Sequence, residues 1–215
     1  MPAAVTDAYA TAAEYRLAVD KDSAAEDAEI LTDLTAVSRY LERRLDQFFT
    51  QDASAVARLY DGNGEKRLYL DSHSLVPGVA SVTGLTVKVD LNADYDVTDT
   101  GETLTKDTHF WLGPWDTDKG SEARPWTFME IVPTNSALSA WPKQLRSVEV
   151  TAIFGWPAVP QTIKRGCIEL TAILRLETPR AKRSVSETGE ILEASREART
   201  IVDRLIEQYG KMVLL

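Results

Sequence analysis

The chain has 215 residues and a formal charge of −9, from 24 Lys and Arg against 33 Asp and Glu. With 44% apolar and 27% charged residues it has the composition of a globular protein, which excludes a disordered chain and leaves room for one large domain or a domain carrying an insertion. The acidic balance argues against tight, non-specific duplex binding, which needs clustered Lys and Arg.

Thr6 or Asp7 is positioned to cap a short helix through Ala18, with Glu14 on its second turn. Asp20 to Ser23 breaks it. Ser23 with Glu26 three residues on is a capping-box pattern, and it opens a long helix to about Phe49. Ile30, Leu34, Val37, Leu41 and Leu45 form its apolar stripe, flanked by Tyr40 and Phe48. Arg39, Glu42, Arg43, Arg44 and Asp46 lie mostly off that stripe. They read as a solvated face with i,i+4 support, or as a subunit contact.

From Ala55 the period changes. Val56 to Tyr60 reads as a strand, Asp61-Gly62-Asn63-Gly64 as a hairpin turn, and Lys66 to Leu70 as the returning strand. Ser81 to Leu91 alternates, with Val87 and Val89 on one face. Tyr95-Asp96-Val97 reads as a short strand before the Asp99-Thr100-Gly101 turn. Phe110-Trp111-Leu112, Thr127 to Val132 and Ser147 to Phe154 complete the strands, with Pro133 to Ala140 a loop. Several short strands separated by turns imply an antiparallel sandwich or small barrel. Lying between helical segments, they form an inserted β-domain whose two ends are expected to lie close together.

Val148, Val150, Ala152 and Phe154 alternate until Gly155 and Pro157 stop the strand. Trp156 occupies the corner, where a large ring would fix the angle at which the chain enters the next helix. Pro160 suits the first turn of that helix, where its missing N–H is no loss. Ile163, Cys167, Leu170 and Leu174 form its stripe, with Thr171 at the edge. As the one cysteine, Cys167 excludes an intrachain disulfide and reads as a buried hydrophobe. Glu177-Thr178-Pro179-Arg180 ends the helix, and Glu187 to Glu190, with Gly189, reads as loop. Ile191, Ser195, Ala198, Val202, Leu205 and Ile206 support a final helix to Tyr209, with Gly210 at C′. Lys211-Met212-Val213-Leu214-Leu215 follows, an apolar stretch that calls for a partner. The expected fold class is therefore α+β, with helical segments in 1–54 and 155–215 and 55–154 the inserted β-domain.

No catalytic constellation emerges, and neither a cofactor nor a metal is expected. Asp71-Ser72-His73-Ser74 has the residue types of a hydrolase triad, but neighbours on an extended segment point to opposite faces. His109, before Phe110, reads as a strand residue on a solvated face. Gly62-Asn63-Gly64 lacks the remainder of a phosphate loop. Asp116, Asp118 and Glu122 miss the calcium-loop register because Gly120 stands where the third acidic ligand belongs. Asp90, Asp94 and Asp96 read as a solvated acidic loop. Trp111, Trp115, Trp126 and Trp141 read first as core, then as protein interface, then as a stacking platform for sugars. The opening residues lack a basic n-region, so no signal peptide is expected, and no run of about eighteen apolar residues marks a membrane span.

One set of motifs resembles a known family. AIFGWPAVPQTIKRGCIELTAIL, with YATAAEYRLAV and ILTDLTAVSRYLERRL nearer the start, is similar to the head-to-tail connector (adaptor, head-completion) proteins of long-tailed bacteriophages. The resemblance covers roughly the first fifty and last seventy residues. It implies a structural virion protein, a ring of twelve copies under the portal extending the DNA channel toward the tail. It implies that the helical segments complete one bundle, built from the long N-terminal helix and the helix after Pro160, with the corner of Gly155, Trp156, Pro157 and Pro160 as a structural motif. The implied partners are the chain itself, the portal protein, the next tail-side connector or stopper protein, and DNA passing without sequence-specific binding. No membrane is involved, and the implied location is the virion, with host cytoplasm during assembly. The family's C-terminal segment reaches the portal, which maps here to Lys211, Met212, Val213, Leu214 and Leu215. Arg180, Lys182 and Arg183 form a basic cluster that could face the lumen or a partner's acidic surface. The alternative reading is a carbohydrate- or ligand-binding β-module with helical flanks.

Overall fold

A computed structural model describes residues 8–70, 78–115, 117, 123–133, 138–177 and 185–209. The fold is α+β, with helices flanking an antiparallel β-domain. The chain divides into two compact units, one of Met1–Phe49 with Val159–Leu215, the other Thr50–Ala158.

The helical unit holds α1 (Ala12–Ala18), α2 (Asp27–Leu45), α3 (Gln161–Glu177), α4 (Val185–Ala194) and α5 (Arg196–Tyr209). The second of these is the axis: it packs against the other four. Ile30, Leu34, Val37, Leu41 and Leu45 are buried as their spacing requires, and so are Ile163, Cys167, Leu170 and Leu174 of α3. Arg175 ties the two helices together, donating to Asp33 at 2.8 Å and Glu26 at 2.6 Å.

The helix boundaries differ from expectation in four places. Thr6 and Asp7 lie outside the described residues, and the cap of α1 is Thr11, whose hydroxyl accepts from Glu14 N–H at 3.2 Å while Glu14 reaches back to Thr11 N–H at 2.8 Å. Ser23 does not cap α2. Its hydroxyl accepts from Ala25 at 3.3 Å, and Glu26 is drawn to Arg175 instead. That helix stops at Leu45, not Phe49, because Asp46 turns left-handed at φ 51°. Glu187 to Glu190 is helix rather than loop, anchored by the buried Thr188 and Leu192, and the chain breaks at Ser195 to give two helices where one was expected.

The β unit contains β1 (Val56–Tyr60), β2 (Arg67–Tyr69), β3 (Val79–Val89), β4 (Thr103–Leu104), β5 (Phe110–Gly113), β6 (Phe128–Ile131) and β7 (Val148–Phe154). They form two antiparallel sheets, ordered β1-β7-β3-β4 and β2-β6-β5, which share one core. Leu68, Met129, Phe110 and Leu112 enter it from the smaller sheet; Val87, Val89, Val148, Val150 and Ala152 enter from the larger. Trp141 closes its edge, with its indole N–H donating to Lys66 C=O at 3.0 Å.

The expected hairpin is absent, since β1 and β2 belong to different sheets. Gly62 N–H donates to Gln144 C=O at 2.8 Å, and a Cβ on Gly62 would overlap the Pro142 carbonyl oxygen. The Gly62 turn is thus a corner that passes close under Pro142 and delivers β2 to β6. Tyr95-Asp96-Val97 is an exposed loop rather than a strand, and β4 pairs with β3 where no strand was expected.

Candidate assembly surfaces

The ends of the β unit are stitched together. Trp156 N–H donates to Thr50 C=O at 3.1 Å, Asp52 N–H to Phe154 C=O at 2.8 Å, and Gln51 bridges Gly155. Gly155 sits at φ 114°, a conformation open to glycine, and its Cα lies against the Thr50 backbone. Trp156 and Pro160 are buried and Pro157 is half-buried. Pro160 stands just before α3, its carbonyl accepting from Lys164 N–H at 2.9 Å. Of the two C-terminal clusters read from the sequence, Arg180, Lys182, Arg183 and Lys211 to Leu215 all lie outside the described residues. So do Asp71 to Ser74, Asp116, Asp118, Gly120 and Glu122.

The charges of α2 are not one solvated face. Arg43, Arg44 and Asp46 are exposed, but Glu42 is buried. Tyr9 Oη donates to Glu42 Oε1 at 2.7 Å, and Arg39 donates to Oε2 at 2.8 Å. The same phenol accepts from Phe49 N–H at 3.2 Å, and the Tyr9 N–H donates to Ser38 Oγ at 3.0 Å. Tyr9, three residues before α1, is therefore pinned to Ser38 and Glu42, one turn apart on α2. Burial first, and then the Glu42 carboxylate beside it, push the Tyr9 phenol far above its ordinary range. Cys167 is buried between Ser38 and Leu34, and burial pushes its thiol up to about 12.

The tryptophans divide between core and surface. Trp141 and Trp156 are buried, and Trp126 packs partly against the core. Trp111 and Trp115 lie outside it with ring centroids 5.2 Å apart and planes at 65°. That is an edge contact, not the coplanar pair that a sugar platform presents. They belong to a wider aromatic face. Register places Arg67, Glu130 and Trp111 in one row across β2, β6 and β5, and Tyr69, Phe128 and Gly113 in the next. Alternation sends Leu68, Met129 and Leu112 inward and these residues outward. Arg67 lies over the Phe128 ring at 4.1 Å and clasps Glu130 at 3.1 and 2.7 Å. Gly113 leaves room for that ring, which a Cβ would overlap. The tryptophans stand out in the sequence, but Tyr69 and Phe128 do not, because only the β2–β6–β5 order makes them neighbours.

The acidic residues at 90–102 form a loop braced by its own hydrogen bonds. Asp90 and Glu102 are buried acceptors. The first accepts from Ala93 N–H at 2.7 Å, Tyr95 N–H at 2.9 Å and Gln144 at 2.7 Å; the second from Leu91 and Asp99 N–H, both at 3.1 Å. Asp96 takes hydrogen bonds from Thr98 and from Val97 N–H, which hold its carboxyl below the usual range. Among the described residues no group of three or more His, Cys, Asp or Glu could hold a metal ion. Nor is any described helix long and apolar enough to cross a membrane. His109 is in the turn before β5, not on a strand, where its Nδ1 accepts from Thr105 N–H at 2.8 Å.

The two units thus define an α+β protein, helices with an antiparallel β-domain. No protein-family model and no curated protein sequence matches the chain. Among solved structures it is similar to a chain in the neck of an empty GTA particle computed with C6 symmetry. The two are 17% identical with a TM-score of 0.51, over 100% of this chain and 95% of that one. At that identity the likeness is one of fold.

Proposed function

We propose that this chain is a structural virion protein, a head-to-tail adaptor. Copies form a ring, of twelve in this reading, that sits under the portal and extends the DNA channel toward the tail. The observation that carries the reading is the end-to-end fold likeness to a chain of a particle neck. It is joined by the connector-like motifs around Gly155-Trp156 and along α2. A neck of C6 symmetry accommodates six or twelve copies alike.

In this reading the helical unit is the shared bundle and residues 55–154 are an insertion carried on it. A ring needs heterologous contacts, one surface of each copy meeting a different surface of the next. The acidic charge suits a channel, since a lumen that repels phosphate lets DNA slide where a basic one would grip it. DNA passes without sequence-specific binding. Met212 to Leu215, with Lys211, dock on the portal and bury their apolar side chains there. Arg180, Lys182 and Arg183 face either the lumen or an acidic surface on a partner, the next connector or stopper protein among them. The protein works in the virion and assembles there from host cytoplasm.

The test is the mass of the purified protein in solution, alone and mixed with portal protein, for the full chain and a form ending at Gly210. A ring that forms with portal and is lost on truncation, with the truncated protein still folded by circular dichroism, supports the reading. A full-length protein that ignores portal refutes it; a truncated form that binds equally well refutes the docking tail.

A further inference from the structure

We propose that the groove between the end of α1 and α3 holds the C-terminal tail of its own chain, Met212 to Leu215, until a partner takes the tail away. The contact itself does not depend on the adaptor reading; its consequence, that portal must displace it, rests on that reading.

The groove lies wholly within the helical unit and measures about 490 Å³, the scale of a site for a few side chains. Ala18 and Val19 form one wall. Ile168 and Ala172, on the side of α3 turned away from its buried stripe, form the floor. Val19, Ile168 and Ala172 are half-buried, so apolar surface stays open to water. The charged heads at the rim are already engaged within the unit: Lys164 donates to Glu14 at 2.7 Å and Arg165 to Glu169 at 2.8 Å. What the groove offers an occupant is therefore apolar contact, not charge.

The fold brings the occupant to that place. Helices α2 and α3 run antiparallel, with Glu26 and Asp33 beside Arg175 and Ser38 beside Cys167, so the end of α2 stands level with the start of α3. Tyr209, the last residue of α5, is fastened there. Its carbonyl accepts from Gln47 Nε2 at 2.5 Å, and its ring meets Phe49 edge-on at 5.5 Å. Helix α5 packs along α3, where Arg204 donates to Glu169 at 3.2 Å, and Glu169 also lines the groove. The segment from Gly210 to Leu215, when extended, reaches about 20 Å. The groove runs from Gln161 to Ala172, about 16 Å of helix. The tail thus starts at one end of the groove and is long enough to lie along it.

Past Lys211 the tail is continuously apolar, Met212-Val213-Leu214-Leu215, which matches what the groove offers. A short tether also favours this occupant over any free one. It holds the tail at a millimolar effective concentration, so a contact with a Kd of about 0.1 mM is closed about ten to one.

The test is thiol labelling of Ala172→Cys in the full chain and in a form ending at Gly210, without portal, over a range of protein concentrations. Native Cys167 is buried and stays silent. The full chain labels about tenfold more slowly at every concentration, and Ala18→Cys on the opposite wall shows the same contrast. Leu176→Cys, exposed and outside the groove, labels alike in both forms. Leu214→Asp in the full chain brings Ala172→Cys to the rate of the truncated form. Equal rates in the full and truncated forms overturn the proposal. So does protection that grows with protein concentration, which puts the tail in the groove of a second copy. Ile168→Asp frees the tail from the side of the groove and tightens portal binding about tenfold; unchanged portal affinity overturns the displacement step. A chain that protects Ala172→Cys but ignores portal leaves the contact standing and removes the adaptor reading alone.

Discussion

Gly155→Ala tests how the β unit is closed. At φ 114° an alanine carries conformational strain of about 1–3 kcal/mol. Its Cβ would overlap the Thr50 carbonyl oxygen and approach Gln51 Cα to 2.7 Å. Both are backbone atoms and cannot swing aside, so the chain must separate there. Overpacking of this kind costs about 1–3 kcal/mol. The hydrogen bonds beside it, Gly155 N–H to Gly78 at 2.8 Å and Trp156 N–H to Thr50 at 3.1 Å, would stretch at about 1 kcal/mol each. The expected loss is about 4–8 kcal/mol, a large part of the stability of an ordinary domain. Gly101→Ala is the control. It has φ 94° but nothing within 4 Å of its Cβ, so it carries the conformational cost alone. Urea unfolding followed by tryptophan fluorescence reads both, with Trp156 next to the substituted residue. If Gly155→Ala loses no more than Gly101→Ala, the close approach to Thr50 is not what requires glycine.

Two further outcomes follow from the helical unit. Tyr9→Phe takes one donor from the buried Glu42 and the acceptor from Phe49 N–H, and should lower stability by about 1–3 kcal/mol in a denaturant titration; a change under about 0.5 kcal/mol would mean that the pin is not structural. Cys167 should react with a disulfide reagent at about pH 8 only at the rate of unfolding, because its thiol is buried and its pKa pushed up to about 12. The folded-state value lies above the unfolded one, so this group's contribution to stability is complete below the thiol's ordinary value of 9.0 and is lost as pH rises from there through about 12. Labelling at the rate of a free thiol in the native protein would show that the thiol is accessible without unfolding.

Where one face of an element meets one core, periodicity was enough to read it. The stripes of α2 and α3 are buried at every position named from their spacing, and β1, β3, β5, β6 and β7 fall where alternation placed them. What failed depends on partners distant in sequence. Thr11-Ala12-Ala13-Glu14 is itself a capping-box pattern and was legible, but Ser23-Ala24-Ala25-Glu26 carries the same spacing and does not form one, because Arg175 on α3 claims Glu26. The polar look of Glu42 could not reveal a tyrosine thirty-three residues earlier. Gly62-Asn63-Gly64 signals a turn correctly. Whether the next strand returns to the first sheet is decided by Pro142 and Gln144, some eighty residues on.

The closure at Gly155 also bears on how a β-domain of this size can sit inside a helical sequence. A flexible connection of roughly a hundred residues between α2 and α3 would tax bundle formation with a loop-closure cost on the order of 4 kcal/mol. Here the two ends of the insertion are hydrogen-bonded to one another, residue 50 to 156 and residue 52 to 154. Once the β unit has folded, the helical sequence meets a tight link in place of a long loop, and most of that entropic cost has been offset by the sheet itself. The consequence is that the outer surfaces of the β unit are free to diverge: the aromatic rows across β2, β6 and β5 and the braced loop at 90–102 take no part in the stitch between Thr50 and Trp156. They are therefore where a difference in partners can be written without disturbing either core.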